Sequence, residues 1–385
     1  MTKVILLIAI ASANSAMALR AVEPMLPALA DEFGTSVSVA AVVMIAYALA
    51  YGCGQVVQGA LGDRYGKLRV ATLAIGLSAL SSIGCAFAGG LSSLAGWRMA
   101  TGALSSGAMI LGMAYIGDVV PRTQRQLVMA RYVAGSIIGQ SLGPAVGGAF
   151  TDLLGWRSTF AFHALVFGVV AALLFWSTRR EWDDGPRTTG PIISLARYAA
   201  IFKLAPARFV MGIAMFEALF FFGAYSFVGA MLKARFDLSY TVIGLTLAGY
   251  GVGGVLFIIA VGRLLPRIGQ GGMVLAGALS CGFFFIVLAF VPVWQLAVPC
   301  TIGLGFSFYL LHNVMQTRST EMTPEARGTG ISLFALFWAV GQSIGIGVTG
   351  LGVATLGFQT MIVLFGLGFA AMGVFLRANL HRLPK

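Results

Sequence analysis

The chain has 385 residues; 58% are hydrophobic, 10% are charged, 51 are glycine, and the formal net charge is +12. Soluble globular domains carry far more charge than this, so the composition excludes them and points to a membrane protein. It also excludes an outer-membrane β-barrel, whose strands alternate apolar and polar residues, because the apolar runs here are long and continuous.

In chain order, spans are predicted near 4–22, 37–60, 70–90, 93–117, 126–151 and 158–178. Six more follow near 207–232, 241–262, 271–291, 293–315, 328–350 and 356–376. Each is close to the ~20 residues that cross the hydrocarbon layer. Lys3 and the Ala16-Met17-Ala18 stretch imitate a signal peptide. Cleavage is not expected, because six spans plus six require the first. The expected fold is therefore an all-α membrane protein with twelve transmembrane helices in two pseudo-symmetric six-helix bundles, 1–180 and 207–385, joined by a linker at 181–206. That linker is rich in charge, Pro and Thr, with a short interfacial helix expected around Ser194 to Leu204.

If loops alternate sides, 20 of the 25 basic residues fall on the side of Lys3 and 5 on the other. The positive-inside rule then makes both termini cytoplasmic. The same bias accounts for the net charge as a topology signal facing anionic lipid, so no nucleic-acid partner is expected. Cys53, Cys85, Cys281 and Cys300 lie within apolar runs without metal-type spacing and read as small buried residues. No metal site and no cofactor is expected.

An internal repeat is visible in register. Gly59-x-Leu61-x-x-Arg64-x-Gly66 recurs as Gly262-x-Leu264-x-x-Arg267-x-Gly269, and Asp118-x-x-Pro121 recurs as Glu321-x-x-Pro324, both at an offset of 203. Two independent matches in one register mark a duplicated six-span unit, with the substrate path expected between the halves near the midplane.

Gly59 to Arg69 resembles the loop signature after the second span of the major facilitator superfamily, with Leu68 where a second consecutive basic residue is usual. The resemblance covers nearly the whole chain. It implies that Asp63, Arg64, Lys67 and Arg69 gate the cytoplasmic side by latching the two halves; the plainer reading is that the basic residues are topology anchors. The counterpart loop has Pro266 where Asp63 stands, so the latch is one-sided. Gly135, Gly139, Gly143 and Gly147, spaced by four and joined by Pro144, form one helix face suited to close packing. This run resembles the superfamily's antiporter motif, particularly of drug:proton antiporters. Leu94 to Gly102 resembles the fourth-span motif built around an arginine, here Arg98, with Thr101 where glutamine is common. That resemblance implies a part in proton transfer; the alternative is an arginine snorkelling to the interface.

An ionisable group at membrane depth costs at least ~2.5 kcal/mol unless paired or hydrated, so it is a functional candidate. Glu217, near the middle of the seventh span, is the one carboxylate so placed, and the 203-residue offset carries it onto Asn14 in the first. Glu217 is expected to carry a coupling proton or pair with a cationic substrate. Arg20 and Glu23 read as a surface ion pair, and Asp31 and Glu32 as solvated loop charges. His163 and His312 read first as local hydrogen-bonding residues; His312, with Asn313 and Tyr309 nearby, is also a proton-carrier candidate. Trp97, Trp156, Trp176, Trp182 and Trp294 fall at span ends as an interfacial belt would. Trp338 is mid-span, one turn before Gln342, and with Phe220, Phe221, Tyr225, Tyr47, Tyr51 and Tyr250 is expected to line an amphipathic cavity.

The leading expectation is a monomeric, proton-driven secondary exporter of small amphipathic compounds in the bacterial inner membrane. A primary pump is excluded because no Gly-x4-Gly-Lys-Ser/Thr loop occurs, and an intramembrane enzyme because neither His-Glu-x-x-His nor Gly-x-Ser-x-Gly is present. The alternative is an importer or exchanger of a nutrient metabolite or of a metal such as copper, for which Met109/Met113 and Met211/Met215 would supply thioethers on single helix faces.

Overall fold

The computed structural model describes residues 2–179, 182, 195–322 and 327–384. Half of the expected linker, 181 and 183–194, and Pro324 of the repeated motif lie outside these residues. The described residues contain no strand. In the first half the helices are α1 (Thr2–Arg20), α2 (Leu26–Glu32), α3 (Val37–Ala40), α4 (Val42–Tyr65), α5 (Lys67–Ala86), α6 (Leu91–Val119), α7 (Arg122–Leu154) and α8 (Trp156–Thr178). The second half comprises α9 (Leu195–Lys203), α10 (Ala205–Tyr225), α11 (Val228–Phe236), α12 (Tyr240–Phe290), α13 (Ala297–Glu321) and α14 (Arg327–Ala378). The interfacial helix expected near Ser194 to Leu204 is α9.

Twelve crossings result. α1 continues into α2 and α3 into α4, then α5 to α8 cross once each, making six. α10 continues into α11, α13 crosses once, and α12 and α14 each cross twice by reversing at Gly269 (φ +63°) and Gly357 (φ +79°). Gly66 (φ +94°) and Gly155 (φ +81°) make the matching reversals in the first half. A left-handed φ is nearly free only for glycine, so these four residues permit spans to reverse without a loop. Gly66 and Gly269 are related by the 203-residue offset, as are the breaks in the first and seventh spans: residues 21–25, where Pro24 and Pro27 interrupt the helix, and Ser226-Phe227.

The repeat also survives in side-chain contacts. Lys67 pairs with Asp118. Their counterparts, Gln270 and Glu321, are joined through Arg318, which donates to Gln270 Oε1 at 2.6 Å and Glu321 Oε2 at 2.9 Å. Each half thus ties its loop after the second crossing to the end of its fourth, at the end of the molecule that carries both termini.

Lipid is as apolar as leucine, so helices here associate by close packing rather than by escape from water. α7 provides two such close seams. A side chain at Gly139 or Gly147 would collide with the carbonyls of Ala13 and Ala21, and one at Gly143 would start 2.6 Å from that of Met17, which seats α7 on α1. Gly135 of the same series faces open space. On another face of α7, Gly148 abuts the Tyr240 carbonyl, Ser141 abuts Gly251, and the Pro144 carbonyl abuts Gly244, all on α12 of the other half. α14 meets α3 and α4 likewise: a side chain at Gly52 would run into Ala339, and one at Gly350 would start 3.3 Å from the Ser38 carbonyl.

These contacts run from mid-membrane to the end away from the termini. There one hydrophobic cluster draws on both halves, Val22, Met25, Met44 and Phe160 packing with Phe227 and Ile346. The cluster nearer the terminal end, from Val4 to Leu174, belongs to the first half alone. The halves are therefore joined at one end and parted at the other.

Candidate functional site

Where the halves part, a cavity of about 620 Å³ lies between them, within the roughly 300–1,000 Å³ of small-molecule sites. It starts mid-membrane at Leu19 and Tyr250 and reaches Met129 and Thr320 near the terminal ends of α7 and α13, where Gln316 and Ala130 are exposed. Among the described residues no Asp, Glu, Lys or Arg lines it. Its polar groups are amides, hydroxyls and one imidazole: Gln55, Gln140 and Ser136 from the first half face Gln342, Tyr309 and His312 from the second.

His312 stacks on Phe308 with ring centroids 4.9 Å apart and 18° between planes, and Trp338 lies 6.2 Å from the imidazole. Behind the imidazole is Glu217, wholly buried, its Oε1 2.8 Å from His312 Nδ1. The second carboxylate oxygen, Oε2, has no hydrogen-bond partner, and neither do Trp338 Nε1 and Gln342 Oε1. The cavity thus offers an aromatic slot and an imidazole backed by a carboxylate.

Of the residues singled out from the sequence, His312, Trp338, Tyr51 and Tyr250 line this cavity, and Glu217 touches it through His312. The others stand elsewhere. Asn14 is inside the first half, its Oδ1 2.8 Å from His163 Nδ1 and its amide donating to the His163 carbonyl. Arg98 is neither at the interface nor in the cavity; it is buried, donates to the carbonyls of Ala18 (2.9 Å) and Val43 (3.3 Å), and lies 4.0 Å from the Tyr47 ring centre. Ala18 is in the last turn of α1, whose carbonyls lack helical partners, so Arg98 caps that helix. Tyr225 spends its hydroxyl on the Leu247 carbonyl at 2.6 Å, and Tyr47 spends its on Ser15. Phe221 is in the core of the second half, and Asn313 is not part of the wall. Asp63, Arg64, Lys67 and Arg69 sit at the terminal end of α4 and α5, with Lys67 paired inside its own half. Met109 and Met113 line the cavity, whereas Met211 is in the core, so the two methionine pairs do not converge.

Two expectations require correction. Arg20 and Glu23 are not a surface pair: they are 1% and 0% exposed, with Nη1 2.7 Å from Oε1. The break at 21–25 turns them toward the second half, where the guanidinium lies 4.6 Å from the Phe222 ring centre and 5.1 Å from that of Tyr225. Glu32 is not merely solvated, since it accepts from Trp156 Nε1 and pairs with Arg157. Its slight burial pushes the carboxyl up, but the Trp156 and Arg157 contacts outweigh this and hold it below the usual carboxylate range. Trp156 and three of the cysteines are buried, while Cys53 is exposed.

Sequence reasoning missed Gln55 and Gln316 in the wall. The available signal was a lone amide within an apolar span, the same kind that singled out Asn14. It also missed Asp152 of α7, whose carboxylate accepts the backbone N–H groups of Tyr240 (3.1 Å) and Thr241 (2.6 Å). It thereby caps the first turn of α12 from across the interface between halves, where an anion suits the orphan donors and the helix dipole.

The sequence model of the Major Facilitator Superfamily matches residues 8–316 and, again, 210–385. The chain belongs to that superfamily. It is 25% identical over 331 residues to the uncharacterized MFS-type transporter YceJ of Bacillus subtilis (strain 168), covering 85% of this chain and 83% of that one. It is 24% identical to the efflux pump radE of Floropilus chiversii over a match covering 64% of this chain and 52% of the pump. Among solved structures, a bacterial homolog to the human lysosomal transporter Spinster, in an inward-facing and occupied conformation, superposes with a TM-score of 0.81 at 17% identity over 100% of this chain and 98% of that one. The chain is thus an integral membrane transporter of the major facilitator fold.

Proposed function

We propose that this transporter is a monomeric exporter of the bacterial cytoplasmic membrane, moving small amphipathic organic compounds outward in exchange for protons. The observation that carries the reading is the Glu217–His312 pair at the wall of an otherwise uncharged aromatic cavity. Similarity to efflux pumps and the glycine series of α7 support the outward direction. The excess of basic residues on the terminal side supports cytoplasmic termini and, with them, a cavity that opens inward in this state.

The chemistry follows from the pair. A cationic compound entering between Phe308 and Trp338 competes with His312 for the Glu217 carboxylate. Glu217 can hold a cationic compound only while it is ionised, because a proton on the carboxylate removes the charge that the compound pairs with. Substrate and proton then exclude one another at a single site, which is what exchange requires. Asp63, Arg64 and Arg69 would latch the terminal ends in the opposite state.

The test is transport by purified protein in proteoliposomes, with imposed pH gradients and a panel of cationic, neutral and anionic compounds. The expected result is accumulation of cationic amphiphiles that collapses with the gradient in wild type and is largely lost in Glu217→Gln. Uptake in the direction of proton flow would instead assign the importer reading, and unchanged pH dependence in Glu217→Gln would remove the pair from coupling.

A further inference from the structure

A second concavity, of about 470 Å³, lies away from the substrate path, between α10 and the last part of α14. Its lining is asymmetric. Arg208 and Arg382 stand at the terminal end, and everything beyond them is apolar, from Phe209 through Gly212 and Phe216 to Phe220 and Gly368. At 1.5 Å per residue, the stretch from Arg208 to Phe220 is about 18 Å long, which is the reach of a fatty-acyl chain. The groove faces outward, with Phe216 44% and Phe375 51% exposed.

Its depth comes from missing side chains. At Gly212 an added side chain would meet nothing within 4 Å, whereas one at Gly368 would run into Phe220, the floor. The cationic end is held in place without being neutralised: Arg208 Nη1 donates to the carbonyls of Phe202 (3.0 Å) and Lys203 (3.4 Å), which end α9. α9 itself is seated on the second half through Ile201.

We propose that this groove binds one anionic phospholipid, with its phosphate between Arg208 and Arg382 and one acyl chain along Gly212 and Phe216. Two guanidiniums at headgroup level above a lipid-facing apolar slot complement that molecule at both ends. Basic pockets between transmembrane helices are suited to anionic headgroups, each basic residue adding roughly fivefold in affinity. A soluble phosphate would gain nothing from the apolar floor, and a zwitterionic lipid would gain little from the arginines.

The experiment is native mass spectrometry of the full chain from nanodiscs of equimolar phosphatidylglycerol and phosphatidylcholine, paired with thermal unfolding in each lipid alone. Wild type is expected to retain one phosphatidylglycerol and to melt higher in it. Arg382→Gln should weaken that retention about fivefold, and Gly212→Leu, which fills open space without a clash, should abolish it while leaving the melting temperature in phosphatidylcholine unchanged. Equal retention of phosphatidylcholine, or undiminished retention in Gly212→Leu, overturns the assignment. Inorganic phosphate that raised the melting temperature as much as the lipid would do so too.

Discussion

Among the described residues two buried carboxylates, Glu23 and Glu217, each face a basic side chain, and they differ in what that partner can do. Glu23 is held by Arg20 at the joined end, surrounded by Phe222 and Tyr225. Glu217 is held by His312 beside the cavity. A guanidinium keeps its charge at any physiological pH, whereas histidine as a residue type gains or loses charge near neutrality. The first pair lies within one half and is shut in by the aromatic rings of the other; the second stands where, on the proposed mechanism, a substrate or a proton reaches it. The first behaves as a clamp and the second as a switch.

Glu23→Ala breaks the clamp most severely, because it leaves a buried guanidinium uncompensated, at a cost of about 3–5 kcal/mol. Thermal unfolding in detergent should show a large loss. The double variant Arg20→Met/Glu23→Leu should recover much of it; a single variant as stable as wild type would mean that the pair is not closed in the membrane.

The switch should respond differently. Glu217→Gln keeps the shape and a hydrogen bond to the imidazole, so stability is expected to stay within about 1 kcal/mol while gradient-driven transport falls at least about tenfold, a loss of ~1.4 kcal/mol in coupling. The contrast fails if Glu217→Gln unfolds as readily as Glu23→Ala. Trp338→Ala removes the aromatic wall and should weaken substrate binding by about tenfold, the scale of an aromatic contact, read by fluorescence or calorimetric titration, with the melting temperature little changed.

The smallest effect is expected at Asp152→Asn. An interfacial cap is worth about 1 kcal/mol, so distance measurements between labels at the sealed end should show a modest gain in open population. Slight burial pushes the Asp152 carboxyl up, but the Thr241 and Tyr240 contacts outweigh it and hold it below the usual range. A depressed carboxyl contributes above its unfolded value and loses that contribution as pH falls through the lower folded one. Acidification below about pH 4 should therefore open the wild-type seal and leave Asp152→Asn unaffected.

Much of this was legible in the sequence. Apolar run length determined the crossings, and the 203-residue offset foretold that Gly66 and Gly269 would reverse the chain alike. Glu217 was visible because a midplane carboxylate stands out against apolar neighbours. Its partner was not, since His312 is 95 residues away. Arg20 and Glu23 read as a surface pair because spacing of three near a span end usually means that; only the break at 21–25 and the approach of Phe222 bury them. Gly135 shows the limit of periodicity, since it shares the spacing of Gly139, Gly143 and Gly147 but faces open space. Cavity lining was least legible, because Tyr225 and Tyr47 look equal to Tyr51 and Tyr250 until their hydroxyls are found spent on carbonyls.

The seam between α7 and α12 has a further meaning for how the halves move. It is made where backbone lies on backbone, Gly148 on Tyr240 and Gly244 on Pro144. Such a surface is a bearing: one helix can roll on the other without first unthreading ridges from grooves. With Asp152 as its removable pin, the joint can be tight and still turn.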